Sequence, residues 1–311
     1  MVHIPQLTEA EVTRAFTGAP HRMVAVPGGR IATYVFGRGP DVVLVHGWPL
    51  TGITFRRLVP RLARSFTVHV IDLPGVGQTS WEPGAPIGIA AHAATVRAWV
   101  DAHGLERFAY LANDSGGAIA RLAARGDRRV AGMVLGDTEL PGRHSPLVAA
   151  FVAASRTRLG RQALMAAMGS ATLRRSRLLF GGCFTAPAYV DGEFGELLVR
   201  PMLESTEAAR GQLDFAAALD PRDLDELAAA HREIAAEVLC IWGPDDPFFP
   251  IRHARAMLPS FAGGATLVEI PRAKLYAHED HPDAFLDHAV PFLERVLPGV
   301  PARADAPVAR A

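Results

Sequence analysis

The sequence predicts an α/β fold, a mostly parallel, doubly wound sheet with a helical insertion. Short continuous apolar runs recur along the chain, as strands buried on both faces require. Helical patterns separate most of them, the alternation that winds helices over both sides of a parallel sheet. That rhythm breaks once, over residues 140–235, where only Ala/Leu/Arg/Glu-rich stretches with helical spacing are found. At 311 residues and 49% apolar content, the chain has enough material for one large domain with an insertion.

Thr8 and Glu11 are spaced as a capping box at the head of a helix over 8–16. Runs 23–26 and 30–36, joined through Pro27-Gly28-Gly29, read as a hairpin. Buried strands are expected at 41–47, 66–74, 108–114, 131–138, 237–243 and 265–271, with helices at 55–64, 90–103, 116–125 and 251–258. The core is therefore expected at 1–139 and 236–297. The helical cap, residues 140–235, enters after the sixth strand and lies over the C-terminal edge of the sheet, where open α/β folds bind ligands. Residues 298–311 are Pro/Ala-rich and expected to form a flexible tail.

Composition narrows the function. Lys+Arg and Asp+Glu are 32 each, so no electrostatic footprint for nucleic acid is expected. Lys274 is the single lysine. Cys183 and Cys240 lie far apart and form no CxxC pair, so neither a zinc site nor a disulfide framework is indicated, and no metal is expected. The first residues carry no apolar signal-peptide core, and no uninterrupted apolar stretch reaches ~20 residues. A cytoplasmic protein that does not engage a membrane is expected.

Four motifs sit at strand ends. Ala112-Asn113-Asp114-Ser115-Gly116-Gly117 falls between a strand and a helix, with small residues two before and two after Asp114. That is the pattern of a sharp, strained nucleophile elbow whose central side chain points into the cleft above a helix N-terminus. Asp114 as a plain helix N-cap is the alternative from local chemistry. Centring the elbow on Ser115 would put Asn113 at a place that demands a small residue. His46-Gly47-Trp48-Pro49 ends the third strand, where the N–H groups of Trp48 and Ser115 pair naturally as an oxyanion hole. Asp72-Leu73-Pro74-Gly75-Val76-Gly77 reads as a tight loop; its GxG lacks the third glycine of a dinucleotide site. Trp242-Gly243-Pro244-Asp245-Asp246-Pro247 offers a carboxylate to orient an imidazole. Asp246 is the better placed of its two aspartates, and Asp137, ending the preceding strand, is a substitute.

With these four motifs in order, the chain resembles the α/β-hydrolase superfamily, specifically its aspartate-nucleophile branch of epoxide hydrolases and haloalkane or haloacetate dehalogenases. The resemblance covers about residues 20–139 and 236–295, with 140–235 similar to that family's cap. It implies an α/β-hydrolase fold and a two-step reaction. Asp114 attacks carbon to form an alkyl ester, and a histidine-activated water hydrolyses it, with Asp246 supporting the histidine and Trp48 and Ser115 holding the oxyanion. No cofactor is implied. An aromatic in the third place of His-Gly-Trp-Pro, and Ser115 rather than tryptophan after Asp114, look more like epoxide hydrolases than haloalkane dehalogenases. The arginine pair of haloacetate dehalogenases is not evident, though Arg121 lies nearby.

The expected substrate is a small apolar organic molecule, an epoxide before a haloalkane, with His46, Tyr189 and Leu275 against it. The resemblance implies a cap tyrosine as proton donor to the epoxide oxygen, a place that Tyr189 can take, with His144 as a second donor; an amphipathic packing residue is the alternative for Tyr189. The only macromolecular partner expected is a second copy of the chain, as a homodimer.

The resemblance fails at one place. The family's catalytic histidine falls on Leu275 of Pro271-Arg272-Ala273-Lys274-Leu275-Tyr276-Ala277-His278, with Lys274 where glycine is usual. Either His278 reaches the elbow through a rearranged loop, or Lys274 acts as a desolvated base, or hydrolysis is lost and the chain binds, cyclises or isomerises its ligand.

Overall fold

The computed structural model describes residues 7–143 and 145–299. Nine strands form one sheet: β1 (Arg22–Val26), β2 (Gly29–Phe36), β3 (Asp41–Val45), β4 (Thr67–Ile71), β5 (Ser80–Trp81), β6 (Phe108–Ala112), β7 (Val130–Gly136), β8 (Glu237–Trp242) and β9 (Ala265–Glu269). Their order is β1-β2-β4-β3-β6-β7-β8-β9, with β5 beside β2. From β4 across to β9 every pairing is parallel, and the antiparallel β1–β2 hairpin sits at one edge. The apolar runs are the reason. Val42 to Val45 on β3 and every residue of β6 are buried, which suits strands covered on both faces.

The Thr8–Glu11 capping box forms at the head of the helix Glu9–Thr17. The helices Ile89–His103 and Ser115–Ala124 pack together, and Pro282–Val296 packs on β7 and β8. Between β7 and β8 the described residues hold helices and no named strand. The longest are Pro146–Ser155, Arg158–Gly169 and Thr206–Ala217. Because the two-residue β5 adds a strand that the sequence did not reveal, the helical insertion follows the seventh strand rather than the sixth. No helix among the described residues is long and apolar enough to cross a membrane.

Candidate active site

β6 ends at Ala112, and two residues later Asp114 adopts φ 50°, ψ −143°. A positive φ is strained for a residue with a Cβ and persists only where neighbours impose it. Here the Asp114 N–H donates to the Asp137 carbonyl at 2.6 Å, and its own carbonyl accepts the Thr138 hydroxyl at 2.7 Å. A Cβ at Gly116 would lie 2.3 Å from the Val45 carbonyl oxygen, and one at Gly47 would lie 2.5 Å from the Asp114 side chain. The glycine two residues after Asp114 is thus demanded by backbone crowding, one of the two small positions of the elbow read from sequence. The N-cap alternative fails, since the Asp114 side chain makes no capping bond to its helix.

Arg121 braces the elbow from behind. Its Nε donates to the Gly117 carbonyl at 3.0 Å, and its Nη2 donates to Thr138 Oγ1 at 3.0 Å and the Glu139 carbonyl at 2.6 Å. It is fully buried and ties the helix after Asp114 to the segment leaving β7. Burial pushes its pKa down to about 10.

Asp114 opens into a cleft with about 500 Å³ of free space, counted out into open solvent, lined by Trp48, Pro49, Val148, Phe151, Met168, Leu179, Phe180, Cys183, Phe248, Phe249, Leu275 and Tyr276. The wall is almost entirely apolar, which favours an apolar ligand. Asp114 Oδ2 is buried with no hydrogen-bond partner among the described residues. Burial, then the charges of Glu139 and Asp246, push its pKa well above the usual carboxylate range, while the N–H groups of Ser115 and Trp48 pull it down.

Behind the cavity lies a pair of carboxyls. Asp137 accepts the Gly243 N–H with both oxygens at 3.0 Å, and Asp246 Oδ1 accepts the Phe248 N–H at 2.7 Å. Burial and then the Asp246 charge push Asp137 far up, and the two carboxyls titrate as a pair. Burial lifts Asp246 to about 6, against its bonds to the Phe248 N–H and Asp137 and the positive charge of half-buried Lys274. The two acid positions considered from sequence are therefore not alternatives. They form one unit.

The remaining predicted residues divide sharply. Trp48 and Leu275 line the cavity beside Asp114. Ser115 is buried next to them, and its Oγ accepts the Trp48 N–H at 2.9 Å. Trp48 is also tied to the insertion: its Nε1 donates to the Gln212 carbonyl at 2.7 Å, and Gln212 Nε2 donates to the Leu50 carbonyl at 3.0 Å.

Three expectations are corrected. His46 does not face substrate, because Nε2 accepts the Leu73 N–H at 3.0 Å and Nδ1 lies 2.9 Å from the Gly47 carbonyl. Tyr189 turns its hydroxyl to the Glu279 carbonyl at 3.2 Å and is not part of the cavity wall. His278 does not reach the elbow. Its Nε2 lies 2.9 Å from Thr54 Oγ1, and the ring packs by Phe55 and Tyr276. Burial pushes its pKa down to about 3. Its neighbour Glu279 is locked to the buried Arg56 guanidinium at 2.8 and 2.9 Å, which fixes the segment. His144 lies outside the described residues.

Sequence reasoning missed Tyr276. It lines the cavity next to Leu275, and among the described residues its hydroxyl makes only a long 3.3 Å bond to the Trp48 carbonyl. Burial holds its pKa far above the usual range, so it keeps its proton. An aromatic with a hydroxyl, adjacent to the expected catalytic position, was the available signal.

Fold and elbow together define a class, and comparison with known proteins agrees: the chain belongs to the alpha/beta hydrolase fold family, which matches residues 40–282. Haloalkane dehalogenase 2 of Mycobacterium tuberculosis (strain ATCC 25618 / H37Rv) is 30% identical over 268 residues, 82% of this chain and 88% of that one. A pimeloyl-(acyl-carrier protein) methyl ester esterase of Stenotrophomonas maltophilia (strain K279a) is 60% identical over 45 residues, a match that spans 14% of this chain and only 17% of the esterase. Among solved structures, epoxide hydrolase CorEH superposes with a TM-score of 0.75 at 20% identity, covering 88% of this chain and 98% of that one. An alpha/beta hydrolase fold protein from Burkholderia ambifaria gives 0.73 at 26% identity, with coverage of 87% and 99%.

Proposed function

We propose that the protein opens small apolar epoxides at Asp114. The observation that carries this is the Asp114 carboxyl, held at a strained apex with an unpartnered oxygen and facing an apolar cavity that also holds a protonated tyrosine. An Asp114 oxygen attacks an epoxide carbon, the C–O bond of the ring breaks, and the departing oxygen takes the Tyr276 proton, leaving a hydroxyalkyl ester on Asp114. Water then attacks the ester carbonyl. The Ser115 N–H, and the Trp48 N–H once it turns from Ser115 Oγ, stabilise the developing oxyanion; the diol leaves, Asp114 is restored as a carboxylate, and the proton released by the water returns to Tyr276.

Tyr276 favours epoxide over haloalkane, since halide departure needs no proton. The donor most suited to a halide, Trp48 Nε1, is occupied by the Gln212 carbonyl. The second half-reaction is handicapped, because Leu275 lies where an imidazole is expected and His278 is held elsewhere.

The test is intact-protein mass after incubation with a panel of neutral epoxides and haloalkanes, followed by peptide mapping. An epoxide adduct on the peptide containing Asp114, or steady diol formation that Asp114→Ala abolishes, supports the reading. Halide release with no reaction of epoxides transfers it to dehalogenation. A second reading is favoured by Leu275 and by the elevated Asp114 pKa: a protonated Asp114 drives a cyclisation or isomerisation without water. Neither adduct nor diol, with a rearranged product, selects it.

A further inference from the structure

A second cavity adjoins the first. It is open to solvent on one side, with about 720 Å³ of free space counted out into solvent, and shares Val148 and Phe249 with the cavity at Asp114. Its inner wall is apolar, with Val152, Leu219 and Leu224. Its polar lining comprises Glu139, Ser145, Asp220 and two exposed arginines, Arg143 and Arg156; neither arginine has a carboxylate within ion-pair reach among the described residues, and Arg156 lies in the field of Asp220.

Arg156 is held rather than loose. Its Nε donates to the Ala217 carbonyl at 2.9 Å and its Nη2 to the Leu219 carbonyl at 3.2 Å, and neither bond uses Nη1. The acids of the chamber are already engaged. Asp220 is clamped by Arg222, and Glu139 accepts the Thr138 hydroxyl at 3.1 Å in the field of Arg121.

A largely apolar chamber that shares the Val148 and Phe249 wall with the cavity at the reactive carboxyl, and carries Arg143 and the held Arg156, fits an amphipathic molecule. We infer that the second cavity binds the anionic end of an extended substrate, its carboxylate on Arg156 and Arg143, its alkyl chain along Val148 and Phe249, and its reactive end at Asp114. The substrate class is thus an aliphatic epoxide bearing a remote carboxylate. The part concerning the reactive end rests on the proposed epoxide chemistry. The part concerning the anionic end does not.

Calorimetric titration of the native protein with alkanoates of six to twelve carbons, and with their methyl esters, tests the anionic end. Affinity should rise about 4-fold per added methylene until the chamber is filled. Each exposed guanidinium should favour the carboxylate over its ester by up to about 5-fold, less at high salt. The double variant R143Q/R156Q should lose that preference and keep the ester affinity. Acid and ester bound equally, or a preference that survives in the double variant, overturns the assignment.

Adduct formation from a terminal epoxy acid and from its methyl ester, followed by mass, separates the two claims. A faster reaction of the acid, levelled in R143Q/R156Q, supports both. Neutral epoxides that mark Asp114 with no advantage for the acid refute the chamber and leave the epoxide chemistry standing. Alkanoates that bind as expected, with no epoxide reacting, uphold the chamber and remove the chemistry.

Discussion

Leu275→His should convert a protein that stalls as an ester into one that turns over. Among the described residues the cavity around Asp114 is lined by no imidazole. His278 is bonded to Thr54, and freeing it would disturb the Arg56–Glu279 pair, whose partners are both fully buried. Breaking such a pair from one side costs about 3–5 kcal/mol, so at equilibrium a loop that delivered His278 would be populated at roughly one part in a hundred to one in several thousand. The loop is further pinned by the Asp245 N–H on the Ala273 carbonyl and the Tyr276 N–H on the Cys183 carbonyl, at 3.2 and 3.1 Å. An imidazole introduced at 275 instead starts within the cavity wall, near the Asp137–Asp246 unit whose charge already reaches Asp114. A general base there should raise ester hydrolysis by about 10²–10⁴-fold. Burying a polar ring in place of leucine should cost on the order of 1–3 kcal/mol of stability. The assay is stopped-flow epoxide consumption alongside intact mass. The native protein should show a burst of one equivalent and a persistent adduct, and Leu275→His should show multiple turnovers with the adduct gone. Native turnover of many equivalents without adduct, or an adduct as long-lived in Leu275→His as in the native chain, would refute the reasoning.

Asp114→Asn should abolish adduct formation and raise the melting temperature. A folded carboxyl pKa above its unfolded value makes stability fall as pH rises between the two, by about 1.4 kcal/mol per unit of elevation, so the gain should be larger at pH 8 than at pH 5 in calorimetric scans. For the same reason adduct formation in the native chain should accelerate as pH rises from 5 to 8, because only the carboxylate attacks carbon; a rate that falls over this range would point to the acid form. Tyr276→Phe should slow epoxide opening by about 10²-fold or more and leave any reaction with haloalkanes nearly unchanged, measured as adduct rates. Arg56→Ala should lose about 3–5 kcal/mol in urea unfolding, since it strands Glu279 in the interior.

What the sequence disclosed was local. Asp114 at an elbow could be read because backbone crowding at Gly116 restricts residue types within a few positions. The parallel strands could be read because double-sided burial leaves continuous apolar runs. The two-residue β5 could not, because its pairing with β2 depends on a partner some fifty residues earlier. His278 was misplaced for a related reason. Its orientation is set by Thr54 and by the Arg56–Glu279 pair, contacts that span more than 220 residues and leave no trace in the spacing of a loop. Tyr189 looked available because a lone tyrosine in a helical stretch carries no sign of what its hydroxyl meets, and it meets Glu279.

The tie between Trp48 and Gln212 means that access and chemistry cannot be adjusted separately. Gln212 belongs to the helix Thr206–Ala217 of the insertion, yet its carbonyl and amide grip the loop 48–50 from which one of the two proposed oxyanion donors projects. Lifting that helix to admit a bulkier ligand would strip two hydrogen bonds from the loop and leave the Trp48 amide free to wander from the line that the ester carbonyl requires. Selection for a wider mouth at this helix would therefore tax the rate of ester breakdown, and a mouth enlarged without that penalty must be opened on another side.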